Sequence, residues 1–364
     1  MKHNWEYKQW NDVLKIFNGK NQKAVENPNG LYPIYGSGGI MSYADDYICP
    51  ENCTIIGRKG NINNPIFVPT KFWNVDTAFG LYPSDFLHPR YLYYFCKIYD
   101  FEKHNKATTI PSLVKNDLLN ISMPVPPMET QEQIVAELDQ INDLIAKNRE
   151  LLSQLNALAQ SLFYDTFGDP ITNPKGWKLQ QLKDLVVGKL TYGSGASGIP
   201  FDNCIRYIRI TDIDDTGRLK PEIASSPSNY DSKYDLVDGD ILFARSGATV
   251  GKSFLYKDYI GKAIYAGYLI RARVNNEFIL PIYLYTVSKT RYYIDYITSS
   301  IRGAAQPNVN AQLYGAFVIP VPPLSLQEEF AAKAEAIEAQ KAKVEAEIAE
   351  LQTLLDARMD YWFN

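Results

Sequence analysis

The segment from Gly247 to Ser253 carries the residue types of a phosphate-binding loop, with two glycines followed by Lys252 and Ser253. In such a loop the glycine amides cradle the phosphates of a nucleotide, and the Lys and Ser side chains contact the phosphates and a magnesium ion. The motif requires four residues between its glycines, but only three separate Gly247 from Gly251. The spacing therefore predicts a turn between strands and argues against nucleotide hydrolysis.

Other catalytic motifs are equally weak. A base-modifying methyltransferase is expected to carry an Asn-Pro-Pro-aromatic or Asp-Pro-Pro-aromatic turn, and the nearest string is Asn63-Asn64-Pro65-Ile66. Paired carboxylates such as Asp214-Asp215 also occur in ordinary turns, and no acidic cluster followed by Lys indicates a nuclease centre. We therefore expect no catalytic residue here, and any DNA chemistry to be carried by partners.

The chain has few residues that could bind a metal or provide a reactive thiol. The chain contains three histidines and four cysteines, namely His3, His88, His104, Cys49, Cys53, Cys96 and Cys204. Cys49 and Cys53 enclose three residues and have no matching second pair. We expect neither a metal site nor a disulfide framework, and no cofactor bound by this chain.

A short motif occurs twice. Pro124-Val125-Pro126-Pro127-Met128, followed by Gln131-Glu132, returns as Pro320-Val321-Pro322-Pro323-Leu324, followed by Gln327-Glu328. A repeat at a fixed offset indicates duplicated architecture. Each copy opens a segment rich in Leu, Ile, Ala and Glu, at 129–165 and 325–361. The sequence thus predicts a globular block followed by a long helix, twice.

Both segments carry apolar residues in alternating steps of four and three, the pattern of paired helices. The residues predicted to pair the helices are Ile134, Leu138, Ile141, Ile145, Leu152, Leu155, Leu162, Phe330, Ile337, Val344, Ile348, Leu351 and Leu355. Asn148 and Lys341 interrupt the pattern and could fix its register, although Lys341 could equally extend to solvent. A flanking row of Leu144, Leu151 and Leu158 could touch another protein.

Strand signals dominate the two blocks, at 54–57, 205–210 and 240–244, and short helices are expected around 91–99 and 282–296. The blocks also share local strings. Gly57-Arg58-Lys59-Gly60 resembles Ala244-Arg245-Ser246-Gly247, and Thr109-Ile110-Pro111-Ser112 resembles Ala305-Gln306-Pro307-Asn308. The two blocks are therefore interpreted as divergent copies of one fold.

The predicted fold class is α+β, with two pseudo-repeated mixed α/β domains separated by a pair of long antiparallel coiled-coil helices. The domains span 1–127 and 169–323, and the helices span 128–168 and 324–364. The central helix is expected to stop at Gly168, which can take a left-handed capping conformation and is followed two residues later by Pro170. More than a hundred residues separate the helices, which leaves room for the second to return antiparallel to the first.

Charge is unevenly distributed along the chain, whose formal net charge is −4. Residues 1–128 and 166–324 carry +2 and +4, whereas 129–165 and 325–364 carry −5 each. Any electrostatic affinity for DNA is thus expected in the blocks. Residues 1–10 hold no apolar signal region, and no run of eighteen uncharged apolar residues occurs. These features predict a soluble, cytoplasmic protein.

The doubled Pro-Val-Pro-Pro motif with its Gln-Glu pair, the helix end Phe167-Gly168-Asp169-Pro170, the block opening Gly176-Trp177 and the segment 241–247 carry a family resemblance. Together they resemble the specificity subunits of type I restriction-modification systems. The resemblance covers the whole chain and is clearest in the second block.

The resemblance implies a non-catalytic, sequence-specific DNA-recognition subunit. Its two target recognition domains would each read one half of a bipartite site on double-stranded DNA. The paired helices would set the spacer between the half-sites and dock two modification (methyltransferase) subunits, which use S-adenosylmethionine to methylate adenine. Restriction (translocase-nuclease) subunits could join them, with ATP and magnesium as cofactors. The role implied is defence against foreign DNA.

The residues expected to contact DNA are polar or basic and lie in or near Gly-rich and polar loops. In the first block they are Ser37, Arg58, Lys59, Lys103, Lys106 and Thr108, and in the second Tyr192, Ser194, Arg206, Arg209, Arg245, Ser246, Lys252, Arg302, Gln306 and Asn308. Arg can bond guanine and Gln can bond adenine through two hydrogen bonds, so Arg245 and Gln306 are the predicted base contacts.

Two other interpretations stay open at this point. The chain could read DNA as a stand-alone regulator or as the specificity chain of a fused modification-cleavage enzyme. Alternatively, it could be a structural hub whose paired helices scaffold other proteins while its blocks bind peptides or glycans, which its 26 tyrosines and modest basic charge would allow. A steep dependence of DNA affinity on salt would distinguish a DNA reader from such a hub.

Overall fold

The computed structural model describes residues 4–214, 217–220, 224–257, 260–301 and 307–364. The chain divides into two compact units. Unit 1 contains Met1–Leu152 and Lys343–Asn364, and unit 2 contains Ser153–Ala342. Each long helix is therefore shared between the units. The division into two domains and two separate helices stays a prediction.

The first block alternates short strands with short helices before the central helix. In chain order the elements are β1 (Tyr7–Gln9), α1 (Trp10–Val13), β2 (Leu14–Asn18), β3 (Tyr32–Gly36), β4 (Gly39–Ala44), β5 (Cys53–Gly57), β6 (Ile66–Val68), β7 (Trp73–Asn74), β8 (Ala78–Pro83), α2 (Pro89–Ile98), a 3-10 helix (Phe101–His104), α3 (Lys115–Leu118), β9 (Ser122–Pro124) and the central helix α4 (Met128–Phe167).

The second block begins after the central helix. Its elements are β10 (Lys178–Gln181), β11 (Thr191–Tyr192), β12 (Gly198–Pro200), β13 (Arg206–Ile208), β14 (Ser225–Pro227), β15 (Ile241–Ala244), β16 (Ser253–Leu255), β17 (Ala263–Tyr265), β18 (Leu269–Ala272), α5 (Pro281–Val287), α6 (Arg291–Ser300), α7 (Ala311–Ala316), β19 (Val318–Val321) and the C-terminal helix α8 (Leu324–Phe363). Single-turn 3-10 helices lie at Leu182–Asp184, Ile210–Asp212, Ser232–Tyr234 and Gly247–Thr249.

The four-stranded sheets of the two blocks have the same strand order. The order β2-β8-β5-β6 in the first matches β11-β18-β15-β16 in the second, and both sheets are antiparallel. Among the described strands each block also contains a parallel pair, β3 with β7 and β13 with β17. Its opening strand pairs with the strand before its long helix, β1 with β9 and β10 with β19. The predicted fold class, with its duplicated mixed α/β blocks, is confirmed.

The glutamine of the repeated motif holds the start of α4 to the first block. Gln131 is fully buried. Its Oε1 accepts a hydrogen bond from the backbone N of His88 at 2.8 Å, and its Nε2 donates to the carbonyl oxygens of Phe86 and Pro126, both at 2.9 Å. One side chain therefore joins the helix, the Pro-Pro corner and the loop before α2.

Gln327 repeats this arrangement in unit 2. It is also fully buried, and its Oε1 accepts from the backbone N of Leu280 at 2.8 Å. Its Nε2 donates to the carbonyl oxygens of Phe278 at 3.1 Å and Pro322 at 2.8 Å. We call the two arrangements the glutamine clamps. They explain why the motif contains Gln three residues after its Met or Leu.

A tyrosine fastens the same corner in each unit. The hydroxyl of Tyr91 on α2 donates to the carbonyl of Pro124 at 3.0 Å, and that of Tyr283 on α5 donates to Pro320 at 2.7 Å. Burial raises the pKa of both hydroxyls, so they remain protonated donors. Proline has no backbone N–H and can only accept hydrogen bonds through its carbonyl. The tyrosine hydroxyl supplies the donor for that carbonyl in each unit.

In unit 1 the end of α8 packs antiparallel against the start of α4. The carboxylate of Glu137 accepts a hydrogen bond from Arg358 Nη2 and one from Trp362 Nε1, each at 2.9 Å, and Arg358 Nε also donates to it. The ring of Trp362 stacks on Trp5 with centroids 6.0 Å apart. The ring of Phe363 lies 5.0 Å from that of Tyr91 on α2, in the buried core of the unit.

In unit 2 the end of α4 packs against the start of α8. The ring of Phe167 lies 5.0 Å from Phe330 and 4.7 Å from Tyr283, and Phe163 joins the same buried cluster. Phe167 therefore occupies in unit 2 the place that Phe363 occupies in unit 1. The two helices contact each other within each unit, and in unit 1 the pairs Glu137–Arg358 and Asn148–Glu347 run in opposite directions along the chain, as expected for antiparallel helices.

The predicted pairing residues all lie on the less exposed side of the helices. Buried ones are Ile134, Leu138, Ile141, Ile145, Phe330, Val344 and Leu355, and partly buried ones are Leu152, Leu155, Leu162, Ile337, Ile348 and Leu351. The polar interruptions have polar contacts, because Asn148 lies 3.4 Å from Glu347 and Lys341 lies 2.6 Å from Glu338. Whether they fix the register stays a prediction.

The bounds of some predicted local elements need correction, and other predicted elements are confirmed. The helix expected around 282–296 is two helices, α5 and α6, because Ser288 and Thr290 turn their hydroxyls onto nearby backbone carbonyls between them. The strand expected at 205–210 is shorter and ends in a 3-10 turn. The phosphate-loop-like segment forms a 3-10 turn leading into β16, as predicted, and Gly168 ends α4 with φ +80°.

Among the described residues no helix is both long and apolar enough to cross a membrane. Cys49, Cys53 and Cys96 are buried free thiols, and Cys204 is exposed. Burial raises the pKa of the Cys96 thiol, so it is expected to pack as a small apolar side chain.

Replacing Gln131 with Leu is expected to lower the free energy of unfolding by at least about 3 kcal/mol. The backbone N of His88 and the carbonyls of Phe86 and Pro126 would lose their partner, and each unsatisfied buried group costs about 1–3 kcal/mol. Urea unfolding measures the change. Gln140→Leu, at an exposed position of the same helix, is the control, and equal midpoints for the two variants would contradict the clamp.

The contact of Glu137 should make stability depend on pH. Its pKa is lowered, chiefly by the hydrogen bond from Arg358 and also by that from Trp362. A carboxyl with a depressed folded pKa adds stability above its unfolded pKa of about 4.3, and this is lost as pH falls through the folded pKa. We expect Glu137→Gln to be less stable at pH 7, by up to about 1 kcal/mol because the pair is one-third exposed.

Urea unfolding of the two proteins between pH 7 and pH 3 tests this expectation. The difference in stability between them should shrink as the pH falls below about 4. Asp143→Asn, at an exposed position of α4, is the control. A difference that stays constant over this range would show that Glu137 acts without its charge.

Candidate nucleic-acid interface

In unit 1 the structure brings together the segments 57–60 and 109–112, which are the two segments that have counterparts in the second block. The segment after β5 pairs with the segment before α3 through an antiparallel bridge between Lys59 and Ser112. The backbone N of Leu113 donates to the carbonyl of Arg58 at 2.9 Å, and that of Gly60 donates to Pro111 at 2.9 Å. Two loops that are far apart in sequence thus form one surface.

Unit 2 closes the same loops with the same bonds. Ser246 and Asn308 form the equivalent antiparallel bridge. The backbone N of Val309 donates to the carbonyl of Arg245 at 2.8 Å, and that of Gly247 donates to Pro307 at 3.2 Å. The similarity between the short strings of the two blocks therefore reflects one duplicated loop pair, which we call the paired loops.

Arg245, in the paired loops of unit 2, is held by contacts with Tyr192 and Asn308. Its guanidinium carbon lies 4.8 Å from the centre of the Tyr192 ring, and its Nη2 lies 3.5 Å from Asn308 Oδ1. The Tyr192 hydroxyl accepts a hydrogen bond from the backbone N of Ala311 at 3.1 Å, which holds the ring. Arg245 Nε is buried and has no hydrogen-bond partner among the residues that the structure describes. A guanidinium held over an aromatic ring suits recognition of an acceptor.

Arg58 occupies the equivalent position in unit 1 but is held differently. Its guanidinium carbon lies 5.7 Å from the centre of the Phe79 ring, and its Nη1 donates to the carbonyl of Asp76 at 3.4 Å. The adjacent Lys59 is exposed. The loop frame is thus shared between the units, while the side chains that it presents differ.

Three further first-block candidates lie on or near the same loop, and Ser37 does not. Lys106 is exposed and forms an ion pair with Asp117 at 3.1 Å, and its backbone N donates to Ser112. Lys103 lies 5.7 Å from the Tyr99 ring centre, and Thr108 is exposed. Ser37 is half-buried in the separate turn between β3 and β4.

Sequence reasoning missed the residue that shapes this loop. Asn105 Oδ1 accepts hydrogen bonds from the backbone N of Ala107 and of Ser112, both at 3.0 Å. Asn commonly bonds the backbone two residues ahead in turns. The sequence Asn105-Lys106-Ala107 could therefore have predicted this turn.

Not all second-block candidates reach the surface. Ser194 is buried, and its Oγ accepts from the backbone N of Ala196 at 3.1 Å. Arg206 donates to the carbonyl of Lys220 at 3.0 Å, and Arg209 forms an ion pair at 2.8 Å with the fully buried Asp212. These three residues hold the fold of the second block together.

The remaining candidates have varied placements. Ser246 and Lys252 are half-buried near the paired loops, and Asn308 is exposed. Arg302 and Gln306, including the predicted adenine contact, lie outside the described residues. All the DNA contacts named from the sequence stay predictions.

In the part of the chain that the structure describes, no group of three His, Cys, Asp or Glu side chains is placed to hold a metal ion. The flanking leucines of α4 are exposed, Leu144 by 42%, Leu151 by 41% and Leu158 by 53%. Residues at seven-residue intervals share one face of a helix, so these side chains lie on one face of α4.

Comparison with known proteins places the chain in a family. The profile described as type I restriction modification DNA specificity domain matches residues 2–157 and 174–353. The type I restriction enzyme MjaVIII specificity subunit of Methanocaldococcus jannaschii is 24% identical over 369 residues, which cover 92% of this chain and 86% of the relative. The EcoDI specificity subunit of Escherichia coli is 19% identical over 379 residues, covering 94% and 83%.

Solved structures share the fold. The S subunit of a type I restriction-modification system from M. genitalium has a TM-score of 0.68 at 15% identity, covering 99% of this chain and 96% of that one. A second chain, from a study of complex assembly and conformational transition of the type I R-M system, has a TM-score of 0.55 at 18% identity, covering 98% and 96%.

Because the two profile matches cover most of the sequence, the chain belongs to the type I restriction modification DNA specificity domain family. The family predicted from the repeated motifs is confirmed. DNA recognition as a specificity subunit of a type I restriction-modification system follows from this membership.

Proposed function

We propose that each unit reads one half of a bipartite DNA site through its paired loops. The observation that carries this proposal is the duplication of those loops. The same sheet order and the same backbone hydrogen bonds present Arg58 in unit 1 and Arg245 in unit 2. One scaffold that presents two different side-chain sets suits a protein that must read two different half-sites.

The long helices set the distance between the half-sites and dock two modification subunits. Each helix has 40 residues, about 60 Å at ~1.5 Å per residue, which is long enough to separate two readers along a duplex. The acidic character of both helices disfavours phosphate contact, and the exposed leucine row on α4 offers an apolar docking face.

Catalysis lies with the partners in this proposal. The modification subunits use S-adenosylmethionine to methylate adenine, and restriction subunits, when they join, use ATP and magnesium. The chain itself contributes recognition and spacing. In support, its MjaVIII and EcoDI relatives are named specificity subunits.

Arg245 reads a guanine in the half-site of unit 2. Its planar fork can donate two hydrogen bonds to the O6 and N7 atoms of guanine, and Tyr192 and Asn308 orient it. We assign Gln306 to adenine only from its residue type.

Replacing Arg245 with Ala is expected to relax sequence preference at one position of one half-site. A two-bond contact to guanine contributes about 1–3 kcal/mol of discrimination, which corresponds to roughly 5- to 150-fold. The measurement is long-read mapping of methylated adenines after co-expression with the modification subunit from the same system. Arg291→Ala, which removes an exposed arginine paired with Asp295 on α6, is the matched control.

An Arg245→Ala chain that directs methylation to the unchanged sequence would remove Arg245 from the reading surface. If the wild-type complex methylated no defined bipartite sequence, the proposal of two half-site readers would fail as a whole.

Shortening both helices by one heptad should shorten the gap between the half-sites. Deleting 146–152 and 343–349 removes facing stretches, since Asn148 contacts Glu347, and keeps the apolar pattern in phase. Seven residues span about 10 Å, or about three base pairs at ~3.4 Å each. Methylation mapping is expected to show both half-sites unchanged and a gap about three base pairs shorter.

Deleting seven residues from one helix alone is the control, because it mismatches the pair and should abolish specific methylation. An unchanged gap in the doubly shortened chain would show that the helices do not determine the spacing.

A further inference from the structure

We propose that a pocket in unit 2 binds the sugar-phosphate backbone of duplex DNA beside the base that Arg245 contacts. The pocket is lined by Lys189, Leu190, Thr191, Tyr192, Lys233, Tyr234 and Tyr265, and we call it the tyrosine pocket. The inference rests on the proposed function, because it adds a backbone contact to the same DNA-reading unit.

Three parts of unit 2 converge on the tyrosine pocket. They are β11 with the residues before it, the 3-10 helix Ser232–Tyr234 and the end of β17. The cavity has a volume of about 580 Å³, within the roughly 300–1,000 Å³ of ligand-binding pockets. It is large enough for more than a single bound ion.

The aromatic walls are held in place. Tyr265 is fully buried, and its hydroxyl lies 2.7 Å from Thr191 Oγ1. Burial raises the pKa of the Tyr265 hydroxyl, so it remains protonated. The Tyr234 ring meets the Tyr265 ring edge-on with centroids 6.1 Å apart. Rigid aromatic rings offer contact area at low entropic cost. Tyr265 supports the wall from inside the fold, whereas the 41% exposed Tyr192 and the partly exposed Tyr234 can contact the apolar face of a deoxyribose.

The two positively charged lysines in the lining favour binding of an anion. Two lysines and no carboxylate occur among the described residues that line the pocket. Lys189 is exposed, and Lys233 forms an ion pair at 2.7 Å with Asp231, in which the side chains are 65% and 40% exposed. An ion pair so exposed contributes little stability, so a phosphate can replace Asp231 as the partner of Lys233.

Tyr192 links the tyrosine pocket to the paired loops. Its ring lines the pocket and also lies 4.8 Å from the guanidinium carbon of Arg245. The major groove is about 12 Å wide, so a base edge bonded to Arg245 has phosphates within about that distance. A backbone contact on the pocket side of Tyr192 would therefore fix the position from which Arg245 reads its base.

Salt dependence separates a phosphate contact from a base contact. Neutralising one phosphate contributes about 0.9 to the slope of log K against log salt, whereas a base contact changes sequence preference. Lys189→Ala and Lys233→Ala in the full chain should each reduce the slope by about 0.9. Each should also weaken binding of a duplex carrying the mapped methylation site about fivefold at 150 mM salt.

Three further variants test whether the effect depends on the position and charge of these lysines. Lys178→Ala, at an exposed lysine of β10 in the same unit, should leave the slope unchanged. Lys189→Arg should restore it, because the charge is retained. Asp231→Asn should strengthen binding by freeing Lys233. None of these variants should change the methylated sequence.

An unchanged slope in the Lys189→Ala/Lys233→Ala double variant would overturn the inference. Tight binding of a free deoxynucleoside monophosphate, competing with the duplex at equal concentration, would also overturn it and indicate a small-molecule site. Failure of the proposed function looks different, because the wild-type chain would then show neither a steep salt slope nor a defined methylated sequence.

Discussion

The buried side-chain amides of Gln131 and Gln327 tie each long helix to its block. Each satisfies one backbone N–H and two carbonyls at a proline-rich corner, where prolines leave the local carbonyls without the usual ladder of donors. Removing the amide would leave several polar groups buried and unpaired, which is costly away from water. Each glutamine therefore fixes the start of its helix to its block, together with the tyrosine that bonds the same corner.

The duplicated frame leaves the surface side chains free to differ. Both units close their paired loops through backbone hydrogen bonds, which do not depend on side-chain identity. Arg245 can therefore lie over Tyr192 while Arg58 lies near Phe79 and bonds the carbonyl of Asp76. A frame held by its backbone and a variable set of presented side chains is how a single fold can serve two recognition tasks.

Charge and apolar surface are divided between the elements. The blocks are mildly basic and the helices acidic, so phosphate contact is favoured on the blocks, while the exposed leucines add apolar surface to α4. Within each unit, aromatic residues at the helix ends, Phe363 and Phe167, join the block core beside Tyr91 and Tyr283. Helix pairing and block folding are thus coupled through one continuous core in each unit.

The amino-acid sequence alone determined the duplication, the two long helices to within about two residues at each end, and the family. These follow from local motifs and from periodicity, which report which face of a helix is buried. Only the tertiary structure showed that Gln131 is a clamp, that Ser194 is buried and Arg209 is paired with Asp212, and that Lys189 and Lys233 line one pocket with Tyr192. Such relations join residues that are distant in sequence, and a surface Arg, Lys or Ser carries no local signal of its partner, so spacing could not reveal them.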